Sequence, residues 1–110
     1  MYEITQSEKK VNGVCFPTWK REVISCNILD VEAGTTGLRG GDTGHGGRTY
    51  FSIRDGACTD MEVRPTFNKW GEADGFEVML GGDCELETMI EALKFIIQAL
   101  EDGKEHMVWF

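Results

Sequence analysis

The side chains best suited to chemistry gather in one stretch of the chain. Residues 34–47 read GTTGLRGGDTGHGG, and seven of these fourteen positions are Gly, half of the 14 Gly in the protein. In and around it stand Thr35, Thr36, Arg39, Asp42, Thr43, His45, Arg48 and Thr49. They offer hydroxyls, two guanidiniums, a carboxylate and an imidazole. Gly admits positive φ and lets the backbone come close to a ligand. Successive N–H groups in such a loop can form an anion-holding nest. This donor set suits a phosphate, a nucleotide or a metal, with Arg39, Gly40, Gly41, Asp42, Thr43, His45 and Arg48 as the contacts. The loop lacks the Gly-Lys-Ser/Thr of a Walker loop. It also leads into a strand, whereas a dinucleotide-binding turn opens a helix. A long hairpin connection without a ligand is the competing reading.

A metal is the sharper version of the same idea. Gly-Gly-Asp occurs at 40–42 and again at 81–83, where Cys84 follows. If the two turns meet, Asp42, His45, Asp83 and Cys84 supply N, O and S donors suited to zinc. Against this, Asp83 also serves as a helix N-cap, and Cys84 as a core thiol. Nucleophilic catalysis has little support. The chain holds 2 His, and pairing Cys58 or Cys84 with His45 needs a tertiary coincidence. The chain therefore reads as a binding protein and not as an enzyme.

The elements that must position these residues follow from periodicity. Residues 83–102 form the clearest one, an amphipathic helix. Leu86, Met89, Ile90, Leu93, Ile97 and Leu100 recur at three- and four-residue steps, Ile96 widens the stripe, and Glu87 and Glu91 hold the other face. Asp83 stands at the start with Glu85 and Glu87 in the first turn, and Gly103 reads as the stop. Residues 22–33 alternate as a strand whose phase changes at Leu29. Residues 48–54, 60–66 and 76–80 read as further strands, with Pro65 marking an edge or an end. A turn around Trp70 lies between the last two. Residues 1–20 are weakly patterned, and Pro17 is expected to stop any strand there. The expected fold is a single α+β domain over residues 1–110, a mostly antiparallel sheet of about four strands packed on one C-terminal helix.

Composition sets the partner class. With 110 residues and 41% hydrophobic content, the chain can bury one core without disulfides. The net charge of −8 is uneven: residues 56–110 carry four basic and twelve acidic side chains, and residues 34–55 three basic and two acidic ones. So acidic a chain excludes general binding to nucleic acid and points to a basic protein surface. Cys15, Cys26, Cys58 and Cys84 show no CxxC spacing and are expected to be mostly buried, reduced thiols. Neither a signal peptide nor a membrane span is expected, so the expected location is the cytoplasm.

The segments GGDTGHGGRTYFSI (40–53) and GGDCELETMIEALKF (81–95) resemble stretches of small uncharacterised proteins of Firmicutes and their phages. In type, a compact acidic domain without a catalytic motif is similar to phage anti-CRISPR inhibitors. That resemblance implies a non-enzymatic inhibitor acting in the host cell cytoplasm. Its partner would be a basic nucleic-acid enzyme such as a CRISPR nuclease, met through an acidic face at Glu87 and Glu91, by a monomer or small homo-oligomer. The alternative is a metal- or phosphate-binding module built on residues 34–49.

Overall fold

A computed structural model describes residues 4–41 and 46–106, with the side chains of the last two helical residues left out. The fold is α+β. Six strands precede one helix: β1 Thr5–Val11, β2 Val14–Ile24, β3 Ile28–Thr35, β4 Thr49–Ala57, β5 Met61–Phe67, β6 Ala73–Leu80 and α1 Asp83–His106. β1 to β4 form an antiparallel meander in chain order, and β5 and β6 pair only with each other.

The first hairpin lies in the segment read as weakly patterned. Asn12 and Gly13 take φ of 50° and 81°, and Val11 pairs with Val14 across them. Positive φ at both central residues is what a two-residue hairpin turn requires, and Asn-Gly supplies it. Pro17 does not stop β2. It faces Glu8 on β1, and the pairing of β2 with β3 begins only at Thr18, so β2 has one neighbour at the proline. The expected single strand over 22–33 is a second hairpin turning at residues 25–27, and the change of phase marks this reversal. A bulge between Ile28 and Leu29 lies in the β3–β4 ladder. β4 runs on past residue 54, where the expected strand ended, through Asp55 and Gly56 to Ala57. The sheet of four is therefore built from the N-terminal half, and the strands at 61–67 and 73–80 form a separate ribbon.

One face of the large sheet takes the helix. Val23, Leu29, Val31 and Ala33 pack with Ala92, Phe95, Ile96 and Ala99, and Trp19, Ile53, Met61, Met89 and Leu100 border that core. The opposite face carries rows of mixed charge, Lys20 beside Glu32 and Glu22 beside Asp30 and Arg54. An antiparallel sheet with one covered and one wet face behaves in this way.

α1 departs from expectation twice. It passes through Gly103 to His106. A Cβ on Gly103 would stand 2.6 Å from Thr35 Cγ2, so the glycine permits close approach to β3 rather than ending the helix. The buried face is also rotated. Glu85, Thr88, Ala92, Phe95, Ile96 and Ala99 are buried, whereas Leu86, Ile90, Leu93 and Ile97 are between 41% and 62% exposed. Small residues every seven positions let the helix lie close on the sheet, and the larger aliphatic stripe is turned away.

Candidate functional surface

The glycine loop is narrower at its neck than its length suggests. The Thr36 N–H donates to Arg48 O at 2.9 Å, and the Arg48 N–H donates to Thr36 Oγ1 at 2.8 Å. The Thr35 hydroxyl donates to Arg48 O at 3.1 Å and accepts from the Gly37 N–H at 3.0 Å. The Arg39 Nε–H donates to Thr36 O at 3.0 Å. Gly47 lies so close to Gly37 O that any Cβ would collide with it. The Thr35 and Thr36 hydroxyls thus close the loop, while Arg39, Gly40, Gly41 and Arg48 are exposed. Asp42, Thr43 and His45, the centre of the ligand expectation, lie outside the described residues.

Asp83 and Cys84 sit elsewhere. The neck of the loop touches α1 at Gly103, whereas Asp83 and Cys84 open the helix twenty residues earlier. At 1.5 Å per residue these points are about 30 Å apart. Among the described residues no group of three or more His, Cys, Asp or Glu is placed to hold a metal ion.

The environment of Cys84 is a polar cluster that ties three turns together. The Thr88 hydroxyl is 2.7 Å from Asn27 Oδ1 and 2.7 Å from the Cys84 carbonyl, so one proton serves two acceptors. Asn27 Nδ2 donates to Thr59 Oγ1 at 3.0 Å, and that hydroxyl reaches Ile28 O at 3.3 Å. Glu85 completes the cluster. Its carboxylate accepts the Asp60 N–H at 2.7 Å and the Gly81 N–H at 3.2 Å. Asn27, Thr88 and Glu85 are all buried. The four cysteines correct an expectation: all are free and exposed. Apolar neighbours in sequence misled the reading, since Cys26 sits in a turn, Cys58 takes φ 59° after β4, and Cys84 lies in the first helical turn. A side-chain hydrogen bond with the neighbouring Cys84 thiol pushes the Cys26 thiol above its ordinary pKa, because it favours the protonated form.

Glu85 holds the root of the ribbon. The two amides it accepts lie just before β5 and just after β6, so one carboxylate clamps both ends of the hairpin. The hairpin itself is an arm. Val63 faces Val78, Pro65 faces Phe76 and Met61 faces Leu80, so one side of it is wholly apolar. The other side carries Glu62, Arg64 and Glu77. Phe67 and Phe76 are 61% and 60% exposed, and Val63, Val78 and Met79 are exposed too. At the tip, Asn68 Oδ1 accepts the N–H groups of Trp70 at 2.9 Å and Glu72 at 3.0 Å, which folds the turn and presents Trp70 to solvent. Beyond its root the arm touches the body through Phe76, whose ring centroid is 6.2 Å from that of Phe51 on β4. The strands expected at 60–66 and 76–80 as members of the main sheet fall instead in the two halves of this arm, a separate ribbon. What the sequence did not signal is that the body meets this apolar side at Met61 and Phe76 and leaves Val63, Phe67 and Val78 exposed.

Glu87 and Glu91 are exposed on α1 as expected, with Glu91 3.8 Å from Lys94. No helix among the described residues is long and apolar enough to cross a membrane. Comparison of the chain with protein-family models, with curated proteins and with solved structures finds no match.

Proposed function

We propose that the chain is a non-enzymatic binding protein whose hairpin arm docks onto a basic cleft of a protein partner, in the manner of an inhibitor that takes the place of nucleic acid. The observation that carries this reading is the exposure of Val63, Phe67, Phe76 and Val78 on the apolar side of the β5–β6 arm. A two-stranded ribbon standing alone is marginally stable in water. An arm that keeps Val63, Phe67, Phe76 and Val78 uncovered is suited to burial against another surface, and aromatic residues at the centre of such a patch carry much of the binding energy.

The rim of the arm names the partner's chemistry. Asp60, Glu62, Glu72, Asp74 and Glu77 outnumber Arg64 and Lys69 there. Carboxylates around an apolar patch favour a partner that is basic around an apolar cleft. Enzymes that hold nucleic acid present such surfaces to the phosphate backbone, and an acidic arm lodged there excludes the substrate. In this reading the main contact is made by the arm, and the acids of α1 add long-range attraction.

The test is capture of a host protein on the immobilised chain, its identification, and competition by duplex DNA. We expect a basic nucleic-acid-binding protein that DNA displaces, whose binding weakens at least tenfold in the Phe67→Glu/Phe76→Glu variant and falls as salt is raised from 50 to 300 mM. Capture that ignores both the variant and the DNA would refute the proposal.

A further inference from the structure

We infer that the outer face of α1 is a self-complementary seam through which two copies of this chain pair as antiparallel helices. Leu86, Ile90, Leu93 and Ile97 follow one another at steps of four, three and four residues, which is the spacing of alternating d and a positions in a heptad. All four are exposed, on the side of the helix turned away from the sheet. A helix with apolar stripes on two sides belongs between two layers, and the sheet covers only one of them.

Charge chooses a second copy as the occupant. The flank of the seam carries Glu87, Lys94 and Glu101 at equivalent positions one heptad apart, with Glu101 beyond the last seam residue, Ile97. Two antiparallel helices related by a twofold axis bring such a flank against itself in reverse order. Glu87 of each copy then meets Lys94 of the other, giving two opposite-charge contacts from one sequence. A parallel pair would set Glu87 and Lys94 against the Met89 and Ile96 side, with no such match.

The proposal is independent of the function proposed above, because the seam and the arm are different surfaces. The experiment is sedimentation equilibrium of the full chain at 1 to 100 μM, with circular dichroism to confirm folding. We expect twice the chain mass at the upper end. Leu93→Glu should return the chain mass with an unchanged spectrum, since that side chain is exposed and contributes little to the body. Glu87→Lys and Lys94→Glu should each raise the dissociation constant about tenfold, and the double reversal should restore it. A chain mass throughout overturns the proposal, and so does a dimer that Leu93→Glu leaves intact. Single reversals without effect overturn the antiparallel register. Phe67→Glu/Phe76→Glu should leave the dimer unchanged, which keeps failure of the seam distinct from failure of the arm.

Discussion

Two residues show how tightly the molecule is specified at single positions. Gly34 lies against Pro17 O so closely that any Cβ would collide with a backbone atom that has no room to give. Gly34→Ala should cost about 1–3 kcal/mol, the usual range for overpacking, read as a lower urea midpoint with an unchanged slope. Thr88 supplies a hydrogen bond to buried Asn27. Thr88→Val keeps the shape and removes the donor, and should cost about 1–3 kcal/mol for the acceptor left without it, while Thr88→Ser should retain most of the stability. Neither role was legible beforehand. Thr88 and Asn27 are 61 positions apart, and only the fold makes them neighbours. The Asn12-Gly13 turn was missed, although that dipeptide favours positive φ at both centres. The apolar alternation around it is too weak to announce the strands that the turn joins.

Among the elements, the helix and the arm are coupled through Glu85. Its carboxylate holds amides at both roots of the hairpin, so Glu85→Ala should free the arm without unfolding the sheet. Hydrogen exchange should quicken at Asp60, Gly81 and the β5–β6 amides, and the amides of β3 should remain protected. Equal loss of protection throughout would mean that arm and body open as one unit. The helix itself was the most legible element, since its periodicity fixes both type and start. Its orientation was not. Periodicity ranks faces by hydrophobicity and so favoured Leu86, Ile90, Leu93 and Ile97, whereas packing on a sheet rewards close approach and selected Ala92 and Ala99. A helix with two apolar faces leaves this choice to tertiary structure. The candidate site divides along the same line: the loop's donors could be counted in advance, but their use in closing the neck depends on how β3 and β4 align.

For the whole molecule, sequence order has a consequence for biosynthesis. Every strand pairs with its neighbour in the chain, so each hairpin can close as it is made, without waiting for distant segments. The layer that covers Leu29, Val31 and Ala33 is nevertheless encoded last, after the arm. Until α1 is released, the nascent sheet presents an oily side to its surroundings, a state that invites aggregation. Premature termination anywhere upstream of Asp83 should therefore yield insoluble or rapidly degraded product rather than a weakened protein, and supplying residues 83–110 as a separate peptide should partly rescue its solubility.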